Sequence, residues 1–316
     1  MTAKKILAFT IKLALVAIAL YFAGSQIVDR WPDLVAHDWQ INWTFILLSI
    51  VAHLGTLALL SSVWCLLISG FGYQVSLAHG FKIAYIANLG RYIPGKIWQV
   101  FGMVYYAKQA GVREEAALSS WVIAMAFALP SAFAAGMGII FVEPQLYQEL
   151  SRLISPAALI AGGIGVLALS LTFVFLPKAM FWILNQILKR IGRDEVTLDL
   201  SIGLAAKIYL AYVLCWLSYG LSFWLLAQGL GLPESSPLPY IGTFVLAYQI
   251  GYLAFFAPGG IGIREIAVTS MLTPYLGPLA AGLAIAARIW NTIVEILAAL
   301  IAVGIRLSDS TDRNRT

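Results

Sequence analysis

Six stretches of this chain, 6–28, 43–69, 116–141, 155–176, 204–231 and 278–305, are long and predominantly apolar. Each exceeds the about 20 residues that a helix needs to cross the hydrocarbon core of a bilayer. No soluble fold can hide that much apolar surface. Of 316 residues, 61% are hydrophobic and 11% charged, where a soluble domain carries about 25% charged residues. The bilayer is therefore the solvent, and the expected fold is all-α, a polytopic helical membrane protein. Residues 1–316 read as a single membrane domain. The loop at 29–42 and the tail after Leu307 are too short for an extramembrane enzyme domain, which usually takes about 50 residues or more. Lys4 and Lys5 precede the first apolar run, but Ile6–Val28 is longer than a signal-peptide core and reads as a retained first helix.

Two further apolar stretches, 76–108 and 240–276, are each broken near the middle by a Pro-Gly pair. The expected architecture is about six full spans plus two Pro-Gly-broken hairpins that re-enter and return to their own side. The positive-inside rule then puts both termini in the cytoplasm of an inner (plasma) membrane protein. Lys4, Lys5, Lys82, Lys108, Arg113, Lys178, Lys189, Arg190, Arg193, Arg306, Arg313 and Arg315 fall inside, and Arg30 and Arg152 outside. The stretch 178–199 is amphipathic and basic; it reads either as a helix on the cytoplasmic face near anionic lipid or as a solvated loop helix. Glu114-Glu115 beside Arg113 reads as a solvated turn at a helix start. Cys65 and Cys215 sit in apolar runs as small hydrophobes, and His37, His53 and His79 have no ligand spacing.

The chain also repeats itself. Leu66-Leu67-Ile68-Ser69-Gly70-Phe71-Gly72 and Leu225-Leu226-Ala227-Gln228-Gly229-Leu230-Gly231 share the pattern L-L-x-x-G-x-G, and each precedes one broken stretch. Ile86, Leu89, Pro94, Gly95 and Ile97 match Ile250, Leu253, Pro258, Gly259 and Ile261 in order and spacing. The order of span, glycine exit, broken hairpin and long span occurs at 43–141 and again at 204–305. The predicted topology inverts one repeat relative to the other, the arrangement of many transport folds, whose site lies where broken helices meet. The alternative is that Pro94 and Pro258 merely kink ordinary spans, which membrane helices tolerate.

Charge concentrates at the breaks. Arg91 and Lys96 flank Pro94-Gly95, and Arg264 and Glu265 follow Pro258-Gly259-Gly260. Arg288, Asn291, Thr292 and Glu295 recur at helical spacing on the last span and line one face. An intramembrane charge costs at least about 2.5–3.5 kcal/mol at a helix centre, so it should face protein or water and have a partner. Four cations against two acids leave the region positive. Guanidinium forks suit phosphate, and helix N-termini at the breaks add to the preference for anions. A phosphate-bearing lipid head group is the natural ligand; internal pairing of Arg288 or Arg264 with Glu295 or Glu265 is the alternative. No metal cluster, phosphate-binding glycine loop or Ser/His/Asp arrangement stands out, so no cofactor, no catalysis and no nucleic-acid partner is expected.

At Asn88-Leu89-Gly90-Arg91-Tyr92-Ile93-Pro94-Gly95-Lys96 and at Pro258-Gly259-Gly260-Ile261-Gly262-Ile263-Arg264-Glu265 the sequence resembles the paired signatures of the flippase-like membrane domain of lysylphosphatidylglycerol synthases. The resemblance runs from about 10 to 305. It implies movement of a phospholipid or lipid-linked glycan between leaflets. Arg91, Pro94, Gly95, Pro258, Gly259, Gly260, Gly262, Arg264 and Glu265 match the signatures residue by residue. The family's cytosolic aminoacyl-transfer domain has no counterpart in these 316 residues, so synthase activity does not carry over.

The expected function is that of a lipid flippase. The head group contacts Arg91, Lys96, Arg264 and Arg288, with Asn291 on the same face, while Glu265 and Glu295 hold the cations or take up protons. Two other readings stay open: a non-transporting membrane subunit that binds lipid and docks a lipid- or glycan-synthesis enzyme, and a small-solute transporter on the same repeat. Close packing through Ala161-Gly162-Gly163-Ile164-Gly165 would serve either self-association or internal packing.

Overall fold

The computed structural model describes residues 32, 36–92, 97–190, 192, 194–196, 200–233, 236–254 and 257–305. Among them there is no strand. Five helices are long and apolar enough to span a membrane: α1 (Trp43–Ser69), α4 (Glu114–Val142), α6 (Pro156–Phe175), α8 (Ile202–Gly229) and α11 (Leu279–Gly304). They coincide with five of the six predicted spans. The sixth, 6–28, lies outside the described residues.

Local chemistry sets the helix ends. Asn42 caps α1, its Oδ1 accepting the Thr44 N–H at 3.1 Å, which satisfies one of the amides a helix start leaves open. The two L-L-x-x-G-x-G segments end their helices in the same way. Gly72 N–H donates to Ser69 O at 2.9 Å and Tyr73 N–H to Ile68 O at 3.4 Å; Gly231 N–H donates to Gln228 O at 3.1 Å and Leu232 N–H to Ala227 O at 3.2 Å. The same exit closes α3 at Gly111, whose N–H donates to Lys108 O at 3.0 Å. It is therefore a general glycine helix stop, not a mark peculiar to the repeat.

Both broken stretches form two short helices packed against each other. The first is α2 (Leu77–Asn88), a 3-10 turn (Leu89–Tyr92) and α3 (Ile97–Gln109); Pro94, Gly95 and Lys96 lie outside the described residues. The second is α9 (Pro237–Leu253), a 3-10 turn (Pro258–Gly260) and α10 (Ile263–Leu276). These arms have 12, 13, 17 and 14 residues, or about 18–26 Å of helix, short of the about 30 Å of hydrocarbon. Two further helices among the described residues are amphipathic, α5 (Pro144–Leu153), which the sequence did not predict, and α7 (Pro177–Arg190).

The chain divides into two compact units. One comprises Met1–His53, Ala135–Leu159 and Leu217–Val294; the other comprises Leu54–Ala134, Ile160–Trp216 and Glu295–Thr316. The first unit holds the second broken element. There Tyr275 at the end of α10 donates to Glu143 Oε1 at 3.0 Å, and α10 packs on α5. The second unit holds the first broken element. Its core joins Trp64 and Ile68 of α1 to Ile83 and Ala87 of α2, Met103 and Ala107 of α3, and Ala116 and Ala117 of α4. Gln99 donates to Asn88 Oδ1 at 3.2 Å across the break, and Trp64 Nε1 donates to Ser120 Oγ at 3.0 Å. Lys82 Nζ donates to the Ile305 carbonyl, just past α11.

Candidate lipid head-group site

The second break builds the site. Gly262 is the N-cap of α10 with φ of 83°, a conformation that side chains oppose. The Glu265 carboxylate turns back and accepts the Gly262 N–H at 2.6 Å, an acid at the positive end of a helix. Glu265 Oε1 also lies 3.7 Å from an Arg288 guanidinium nitrogen. Arg288 Nη1 donates to Gly259 O at 2.9 Å, so the side chain from α11 satisfies a carbonyl within the break. In hydrocarbon such a carbonyl would be costly if left bare.

Arg264, one residue before Glu265, is treated differently. It is 7% exposed, and its guanidinium carbon sits 4.2 Å from the centre of the Tyr248 ring. Its Nε is buried without a hydrogen-bond partner. Cation–π attraction is worth about 2 kcal/mol when desolvated, yet an aromatic face gives a guanidinium N–H no oxygen to bind. Arg264 is thus a buried cation with donor capacity in hand.

Arg264, Glu265, Arg288 and Asn291 line one cavity with Phe244, Val268, Ala284 and Ala287. Two guanidiniums against one carboxylate leave a positive charge over. Water centres fit in about 10 Å³ of the cavity, space for about one water. Behind it, Tyr219 on α8 donates to Asn291 Oδ1 at 2.6 Å. The Tyr219 ring lies 5.2 Å from that of Tyr248 and 4.5 Å from His53. His53, fully buried, has Trp290 on another side at 4.4 Å.

Four of the predicted ligand residues, Arg264, Glu265, Arg288 and Asn291, therefore come together beside the turn at Pro258, Gly259 and Gly260. Thr292 instead donates to Arg288 O at 2.9 Å, a bond within its own helix. Glu295 is buried at 5% exposure but belongs to the second unit and does not line the cavity. Arg91 falls on the 3-10 turn of the second unit, and Lys96 lies outside the described residues. Sequence reasoning missed Tyr248, Tyr219 and His53. The two tyrosines carry no spacing signal, but a histidine within a span was itself a signal.

Exposed ion pairs form away from this cavity, Arg152 with Glu149 in the first unit and others in the second. Lys108 bonds Glu114 at 2.6 Å, and Arg113 bonds Asp194 at 3.1 Å. The Glu114 hydrogen bond holds the Lys108 ammonium above its usual pKa. Among the described residues, no three of His, Cys, Asp and Glu are grouped to hold a metal.

The family described as the lysylphosphatidylglycerol synthase TM region matches residues 9–300. The chain belongs to that family. Membership gives this synthase-TM-region protein a membrane lipid-related role and agrees with the resemblance at the two break motifs. Among curated proteins, none matched. In this family member Arg264 and Glu265 of the second motif line the cavity.

Proposed function

We propose that this protein is a non-enzymatic, flippase-type translocase. It carries a phosphate-bearing lipid, an anionic phospholipid or lipid-linked glycan, between leaflets of the inner membrane, with both termini cytoplasmic. The observation that carries this reading is Arg264: a buried guanidinium with an unused donor, beside Arg288, in a pocket with net positive charge. A phosphate oxygen supplies the missing acceptor and offsets the charge, and a guanidinium takes it in two-point geometry. Glu265 and Gly259 hold Arg288 in place, so the second cation needs little reorganisation. The acyl or prenyl chains stay in lipid. The cavity admits about one water, so this conformation is closed, and a head group needs α10 to move from α11.

That small cavity also favours a second reading, in which the pairing only pins the break and the protein is a lipid-binding subunit that docks a lipid- or glycan-synthesis enzyme. Vesicle reconstitution separates the two. Labelled phosphatidylglycerol should cross with the wild-type protein, and Arg264→Ala should slow it by about 10–100-fold, the equivalent of losing one or two charge-assisted bonds. Undiminished transport in Arg264→Ala would remove the assigned site. No transport by the wild type, with a synthesis enzyme co-purifying, would favour the docking subunit.

A further inference from the structure

The amphipathic helix α7 (Pro177–Arg190) takes no part in the cavity. It holds Lys178, Lys189 and Arg190 and no acid. One face packs inward, with Leu184 at 5% and Leu188 at 2% exposure. The following strap is clamped to it: Asn185 Nδ2 donates to Val196 O at 3.0 Å and Val196 N–H to Asn185 Oδ1 at 3.1 Å. The opposite surface is open. Trp182 is 67% and Ile183 53% exposed, beside exposed Lys178, Gln186, Lys189 and Arg190.

Three contacts fix the level of this helix within its unit. It starts one residue beyond Leu176, itself the first residue past the spanning helix α6, whose exposed Ile164, Leu167 and Phe175 face lipid. The Phe181 ring, near its middle, lies 6.3 Å from Phe71, two residues past the end of α1. Asp194 in its strap pairs with Arg113, one residue before α4. The helix and its strap thus reach the ends of three spans in this unit, and so the helix runs along the boundary where those spans leave the hydrocarbon.

We infer that α7 is an interfacial helix that binds the head groups of an anionic leaflet. Ile183 and Trp182 extend the lipid-facing surface of α6 into the head-group layer, an environment that favours tryptophan. Lys178, Lys189 and Arg190 match negative lipid charge. The inference holds whether or not the chain moves lipid.

Spin labels at Ile183→Cys and Lys189→Cys, with Cys65 and Cys215 replaced by Ala, test it in vesicles of phosphatidylcholine with and without phosphatidylglycerol. At 183 oxygen should relax the label severalfold more than a water-soluble nickel complex does, and at 189, about 120° round the helix, the preference should reverse. Phosphatidylglycerol should deepen the 183 label, and Lys178→Gln, Lys189→Gln and Arg190→Gln together should abolish that shift. A 183 label as open to nickel as 189 means a solvated helix and overturns the proposal. Protection from both relaxants means a protein partner and overturns it too. A shift that is absent, or that survives the triple variant, removes the anionic selectivity.

Discussion

Gly260 sits at φ of 70°, and a Cβ there would come within 2.9 Å of the Gly251 carbonyl oxygen. Neither the backbone angle nor the approach of α9 leaves room for a side chain. Gly260→Ala should cost about 1–3 kcal/mol, read as a lower midpoint of thermal unfolding in detergent. This position was legible as part of Pro258-Gly259-Gly260, because a break in hydrocarbon needs such residues. Its partner Gly251 was not legible, since a lone glycine in an apolar helix has many uses. Arg264, Glu265, Arg288 and Asn291 could be named because polar groups stand out in apolar sequence. Tyr248 under Arg264 could not: aromatic residues pervade these helices, and only tertiary packing selects one.

Helices α8 and α11 are joined through the first unit by the buried bond from Tyr219 to Asn291. Interhelical hydrogen bonds in membranes average about 0.6 kcal/mol, with a maximum of about 1.7. Tyr219→Phe should therefore cost about that much in denaturant unfolding from mixed micelles, with the aromatic packing kept. A loss several times larger would mean that Tyr219 also positions His53. At this scale the long spans were legible to within two residues, because hydropathy over some twenty residues outweighs local noise. The helix α5 was not, although Pro144 stands at its first turn and suits that place. Ten residues of mixed character yield no hydropathy signal, and their helical form depends partly on packing against α10.

Across the whole molecule the bilayer explains what water cannot. In α6 only 11% of the most apolar window is buried, so most of its circumference is left uncovered by the rest of the chain. Ile164, 63% exposed near the middle of this helix, should not tolerate a charge. Ile164→Arg should reduce membrane insertion by about 2.5–3.5 kcal/mol, measured as a shift in the inserted fraction of a glycosylation-tagged protein. The membrane class was legible from composition, because the solvent is a property of the whole chain. The division into two units was not, because its boundaries fall within long helices that read as continuous in sequence.

The bareness of α6 has a further consequence. With 20 residues it is the shortest of the five spanning helices, against 27 in α1, about 30 Å beside about 40 Å. A long helix meets a thin bilayer by tilting, but a short one in a thick bilayer must thin the lipid around it. Few residues of α6 are buried, and Leu176 alone separates it from α7. Hydrophobic mismatch at α6 therefore becomes a pull on α7, and a thicker membrane draws that helix further into the head groups.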